Sequence, residues 1–482
     1  MRHFLKTILF FLSSVLLQSF TEETKRFEDY FTKLQHYSLR NGVQVNFIPD
    51  KTAPIYYAVT TVLVGSVDEP DHQKGIAHFL EHLAFKGTKT VGTKDWESER
   101  GLLEKAWELE RLQLLKKISE EKRRELQNVR KQLRNLWKTE EFQSLLADLG
   151  GVKINATTSS DFTNYFGKFP AESFKKWAQL EIDRLLNIVP RQFYEEMRVI
   201  FQERKVRVDG DPLGRLYEFL LSKAFGLHPY GYPTIGYKEH LLNLTPYDLL
   251  KFHERFYRGS NITITLIGAL NREDLNYLFS LAEKIPTGER NTQFLKASAV
   301  QPGVYRRKFG TKMVSVSFYK DVYPSEEDLC VTLVCKYLFE SKQSPIYRAL
   351  VEELKVASGV SFIEGPGYRS KNLAIVLFPY LSGVNPEKIL DNFWRVLEDT
   401  KKSGLGEREV ELAKTLILRQ GADIFENKLQ LAEWIGESTL LYGSPWEPVK
   451  IIKKLLEFSP QSINSCLQSV FHKKNSLVIV SN

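Results

Sequence analysis

Gly75-Ile76-Ala77-His78-Phe79-Leu80-Glu81-His82-Leu83-Ala84-Phe85-Lys86-Gly87-Thr88 is the stretch around which the remaining sequence arranges itself. His78 and His82 are four apart, so a helix sets both imidazoles on one face with Glu81 beside them. Two neutral imidazoles at that spacing can hold one Zn²⁺. A neighbouring carboxylate can then act as base toward water that the ion activates. The chain has only 9 His among 482 residues, and a chance match to this pattern arises roughly once in a hundred such sequences. The competing interpretation is a pair of ordinary polar residues on a half-buried helix.

The flanking residues separate these readings. The order His-x-x-Glu-His reverses the commoner His-Glu-x-x-His and is the inverzincin signature. Gly75 to Thr88 as a whole resembles the active-site helix of the pitrilysin/insulinase metallopeptidases, which include mitochondrial processing peptidase. The resemblance implies an α+β chain of two homologous domains. Each would be a mostly antiparallel β-sheet packed with α-helices, and only the first would carry the metal motif. It also implies a third ligand. Glu196-Met197-Arg198-Val199-Ile200-Phe201-Gln202-Glu203-Arg204 resembles the family's ligand helix, which assigns Glu203 to the metal. Glu196, on the same helical face, would orient a ligand or tune the charge of the site. Gly150 to Ser159 resembles the family's edge strand, where Asn155 and Ala156 would present backbone groups to an extended peptide. The alternative for those two is an ordinary sheet edge.

Working outward, Tyr37 to Ile48 alternates around Asn41-Gly42 and predicts a hairpin. Ile55 to Gly65 predicts a strand, and Gly65 to Pro70 turns it. Residues 95–147 are dense in Glu, Lys and Arg, with apolar residues at helical spacing. Leu102, Trp107, Leu109, Leu112 and Leu115 make one stripe; Leu126, Val129, Leu133 and Leu136 make another. This predicts a charged helical hairpin bending near Ser119 to Lys122. The 120 residues between His82 and Glu203 exceed what the resemblance leads one to expect, so the hairpin reads as an insertion. It would pack on the body or on a partner, or stand as a solvated decoration. Phe174 to Leu186 and Gln192 to Val208 predict two further helices. Residues 283–303 are rich in turn formers and read as a linker. Beyond it come a strand near Lys312 to Tyr319, helices near Pro324 to Phe339, 387–401 and 407–425, and strands at Leu373 to Phe378 and Leu477 to Val480. The expected organisation is a signal segment (1–20), a zinc-bearing domain (30–282), the linker, and a homologous domain without metal (304–482).

Composition narrows the class. The hydrophobic share of 43% and charged share of 26% suit a globular protein. The net charge of +8 falls to about +6 once Arg2 and Lys6 are removed with the leader. No basic stripe with interleaved aromatics points to nucleic acid. Residues 1–20 have a basic start and an apolar run too short to span a bilayer comfortably, as a secretory signal does. An uncleaved anchor is the alternative, since Leu17 fits the cleavage rule poorly. No later run predicts a membrane span. The 3 cysteines give no disulfide framework. Export with this resemblance implies a bacterial periplasm or outer surface.

One departure bears on function. Active single-chain family members and some partner chains carry an Arg and a Tyr in a second-half helix and the turn after it. Aligning Ser344 to Val360 without gaps puts Val351 and Ser358 there, and a small shift brings Lys355 and Phe362. None of these donates as Arg and Tyr do. The expectation is a zinc-dependent endopeptidase, with His78, His82 and Glu203 as ligands and Glu81 as base. It would act on short or unfolded peptides taken up as an added strand. It would be the zinc-bearing subunit of a split enzyme whose related partner supplies the Arg and Tyr. A homodimer or monomer with a substitute donor, and a non-catalytic scaffold of the same fold, stand as alternatives.

Overall fold

The computed structural model describes residues 25–291, 295 and 301–482. The expected signal segment lies outside the described residues, as does part of the expected linker. Two sheets organise the chain. The first is built from β1 (Gln35–Ser38), β2 (Gln44–Pro49), β3 (Ile55–Val62), β4 (Val152–Thr158), β5 (Thr163–Pro170) and β6 (Ile262–Gly268), in the order β1-β2-β6-β3-β5-β4. All its pairings are antiparallel except β2 with β6. The second holds β7 (Gly303–Arg306), β8 (Met313–Lys320), β9 (Ser361–Gly365), β10 (Asn372–Pro379) and β11 (Ser476–Ser481), in the order β7-β11-β8-β10-β9. Only β7 and β11 run parallel there. In each half a late strand, β6 or β11, returns to the interior of its own sheet.

Alternation along the central strands explains the layers. Phe47, Ala58, Ile264 and Leu266 face a core closed by α1 (Ile76–Leu83), α5 (Phe174–Leu186), α6 (Phe193–Arg204) and α9 (Arg272–Ala282). Ile48, Val59 and Ile267 point to the other face, onto Leu431, Ala432 and Ile435 of a helix from the second half, Lys428–Tyr442. There Asn46 Nδ2 donates to Thr439 Oγ1 at 3.0 Å, and Asn164 Nδ2 to Glu437 Oε1 at 2.9 Å. Gly436 lets this helix lie close, since a Cβ on it would come within 2.7 Å of Thr61 Oγ1. The exchange is reciprocal. Helix α7 of the first half (Pro212–Phe225) lays Leu216, Leu220 and Leu221 on Leu373, Ile375 and Ile479 of the second sheet. Each half thus covers one face of the other's sheet. The buried pair Arg369–Asp68, at 2.9 Å, ties the halves further.

The segment expected as an insertion is helical: α2 (Trp96–Leu114), α3 (Glu120–Leu136) and α4 (Glu141–Asp148). Its first stripe differs from the expected one. The expected Trp107 and Leu109 are buried, with Leu103, Ala106 and Glu110 beside them, whereas Leu115 is 44% exposed. Two ion pairs set the face. Glu99 meets Arg191 at 2.7 Å with both side chains buried, and Glu110 meets Arg130 at 2.6 Å. Buried carboxylates outrank an outer leucine because an unpaired charge costs several kcal/mol, about twice what one leucine gains from burial. The expected ligand helix is also split: α6 stops at Arg204, and Lys205–Asp209 continues as a π-helical turn. The start of the expected linker is packed, with Ile285 buried in the first core.

Candidate metal centre

Helix α1 begins at a built N-terminus. Gly75 has φ of 100°, and the buried Glu69 carboxylate accepts from Gly75 N at 2.8 Å and Ala77 N at 2.9 Å. A carboxylate suits the unsatisfied N–H groups of a helix start. Burial still pushes Glu69 up to about 8. The cap sets the register from which the following residues of α1 project.

His78, Glu81 and His82 lie on one turn, and α6 brings Glu203 to them. His82 Nε2 is 3.3 Å and His78 Nε2 3.7 Å from Glu203 Oε2, and one ligand atom from each of the three residues lies within 4.8 Å of the others. Tetrahedral zinc with bonds of about 2.1 Å sets its ligands about 3.4 Å apart, so these separations fit a single ion. Glu203 Oε2 is buried without a hydrogen bond, which is what a carboxylate kept for a cation requires. Among the described residues the group numbers three ligands. Three protein ligands would leave a fourth position to water, the pattern of catalytic zinc. Arg207 Nη1 holds the other oxygen, Oε1, of Glu203 at 2.7 Å.

The two imidazoles are driven apart electrostatically. Burial, with the neighbouring His82 charge, pulls His78 down to about 4. Burial opposes charge on His82 too, but the hydrogen bond to Glu196 and the Glu203 carboxylate 3.3 Å away outweigh it and push it up to about 9. A metal ion would need both rings neutral, so its binding would release the His82 proton. Glu196 lies where it can fix that ring. Its Oε1 is 2.9 Å from His82 Nδ1, and its Oε2 is 3.0 Å from Lys86 Nζ. Burial resists charge on Glu196, yet these two bonds hold its carboxyl below the ordinary range.

Glu81 is buried, and burial raises its pKa despite the hydrogen bond that Thr158 Oγ1 donates to its Oε2 at 2.5 Å. A raised carboxylate beside a candidate metal-ligand group is placed to exchange protons with water. Thr158 ends β4, the outer strand of the sheet, which pairs only with β5 among the described residues. Asn155 and Ala156 sit in mid-strand opposite Phe166 and Tyr165. Asn155 is exposed, while the Ala156 side chain enters the first core. The open edge of β4 therefore runs directly toward the Glu81 anchor.

Thr158, Lys86, Arg207 and Glu69 escaped the sequence reading. Lys86 and Arg207 stand four residues after His82 and Glu203, a spacing that could have flagged them. Thr158 and Glu69 had no such signal. Val351 packs against the second core, and Ser358 Oγ donates to Pro379 O. His228 caps a short turn by accepting from Tyr230 N. All three cysteines are free and buried.

The chain is similar to known proteins in sequence and in fold. The profile "Insulinase (Peptidase family M16)" matches residues 45–102, and "Peptidase M16 inactive domain" matches residues 243–417, which hold none of the metal group. The chain is 26% identical over 446 residues to "Zinc protease PqqE" of Helicobacter pylori, covering 89% of this chain and 87% of that one. The crystal structure of a protease from Helicobacter pylori superposes with a TM-score of 0.73 at 21% identity, covering 93% of this chain and 99% of the other. The periplasmic protease PqqL from Escherichia coli superposes with a TM-score of 0.68 at 18% identity, covering 93% of this chain and 47% of PqqL. By its sequence and its two-sheet fold, the chain belongs to the insulinase-type peptidase family M16.

Proposed function

We propose that the chain is a zinc-dependent endopeptidase that cleaves short or unfolded peptides. The observation that carries this reading is the convergence of His78, His82 and Glu203 beside a buried, unligated Glu81. His78, His82 and Glu203 would hold the ion, with Glu196 fixing the His82 ring. When bound, zinc supplies a Lewis acid that polarises the scissile carbonyl and acidifies water. Glu81 takes the proton from the attacking water and returns it to the leaving amine. Thr158 aims the Glu81 carboxylate. The open edge of β4, at Asn155 and Ala156, pairs with the peptide backbone and brings it in as an added strand. Backbone pairing holds a peptide without reading its side chains, so selection favours chains free to extend.

The chain acts as the zinc-bearing subunit of a split enzyme. Val351 and Ser358 supply no Arg and Tyr to the site, and the chain corresponds in length to about half of PqqL. A related subunit would bring the missing donors. Residues 1–20 direct export, and the likeness to a periplasmic protease supports a periplasmic setting. The same missing donors favour the second reading, a non-catalytic subunit of the same fold.

A quenched fluorescent peptide library incubated with the purified chain, alone and with its related subunit, tests the proposal. Hydrolysis that falls by about 10²–10⁴ in Glu81→Gln, with zinc retained, is the expected result. Zinc without hydrolysis in either setting would favour the non-catalytic reading.

A further inference from the structure

The insertion reaches the metal group through one lysine. Lys86 Nζ lies 3.0 Å from Glu196 Oε2 and 3.3 Å from Glu140 Oε1, and Glu196 Oε1 lies 2.9 Å from His82 Nδ1. Both oxygens of Glu196 are thus engaged, one by the metal-side imidazole and one by Lys86. Glu140 belongs to the insertion, at the start of α4, and holds a left-handed backbone with φ of 59°. That conformation is unfavourable for a residue with a Cβ. It persists where the surrounding structure fixes it, and here it places the carboxylate on Lys86. The Lys86 ammonium itself is largely buried between the two acids, whereas Glu140 is 46% exposed.

We propose that Lys86 is a positioning residue for the metal centre, and that the insertion acts on the site through it. The line Glu140–Lys86–Glu196–His82 fixes the carboxylate that orients the ligand ring, so the hairpin stiffens the centre rather than decorating it. This rests on the metal reading above. The test is zinc affinity of the full-length chain by chelator competition, together with the visible absorption of the cobalt-loaded protein. Lys86→Met leaves Glu196 with one partner and should weaken zinc about 10- to 100-fold, with a changed cobalt spectrum. Lys86→Arg should restore affinity to within about threefold, since a cation returns to the same place. Glu140→Gln should weaken zinc by about two- to fivefold, the scale of a half-exposed pair. Lys138→Met removes a hairpin ion pair with Glu141 that does not touch the site, and should change nothing. Wild-type affinity and spectrum in Lys86→Met would overturn the proposal and leave the metal reading intact. If Lys86→Met does not fold, unchanged affinity in the exposed Glu140→Gln would overturn it instead. A wild-type chain that takes up no zinc would overturn the metal reading itself, and this proposal with it.

Discussion

Glu81 owes its character to opposing influences. Burial raises its pKa, and the hydroxyl of Thr158 lowers it by donating to the ionised form. Thr158→Val removes the largest of the lowering influences, so the Glu81 pKa should rise further. Proton abstraction needs the ionised carboxylate, so the acidic limb of the pH–rate profile should move to higher pH, with zinc content unchanged. An unmoved limb would show that Glu81 does not set it. His78, Glu81 and His82 were legible in the sequence because one helical turn brings them together, and spacing alone reports that. Glu203 needed its resemblance to a ligand helix, being distant in the chain. The Glu69 cap and the Thr158 hydroxyl were not legible, since their contacts depend on how a loop and an edge strand fold back on α1.

At the scale of elements, the insertion shows why charge can override an apolar stripe. Glu99 is wholly buried, meets Arg191, and accepts from Trp137 Nε1 at 2.7 Å. Arg191 in turn donates to Thr88 O and Val91 O, in the loop that follows α1. One guanidinium thereby joins the insertion, the motif loop and the segment leading to α6. Glu99→Ala leaves that guanidinium buried and unpaired, and should cost about 3–5 kcal/mol of stability in urea unfolding. A loss under about 1 kcal/mol would mean that water reaches Arg191 freely. Both helices of the hairpin were legible by periodicity, but the buried face depended on partners that lie outside it. The π-helical turn after α6 likewise lacked a signal, since its residues continue the helical pattern.

For the whole molecule, the reciprocal exchange of helices joins the two halves. Neither sequence half reveals it, because the apolar face of Lys428–Tyr442 fits its own sheet as well as its neighbour's by pattern alone. The seam carries a titratable group. Burial pushes Glu437 up to about 8, with the nearby Glu433 adding to the effect. Its folded pKa exceeds the ordinary carboxylate value, so the folded chain binds the extra proton between about pH 4.5 and pH 8. Stability should therefore fall as pH rises through that window, and Glu437→Gln should flatten the decline in thermal melts at pH 5 and pH 8. An equal decline in both proteins would place the titration elsewhere. The claim on which the account depends most is that His78, His82 and Glu203 hold one zinc ion beside Glu81. Metal content of the purified chain and its single variants tests this most directly. One zinc per chain is expected in the wild type and in Glu81→Gln, and loss of zinc in His82→Ala and in Glu203→Ala. Zinc that survives in Glu203→Ala, or a wild type that takes up none, would contradict it.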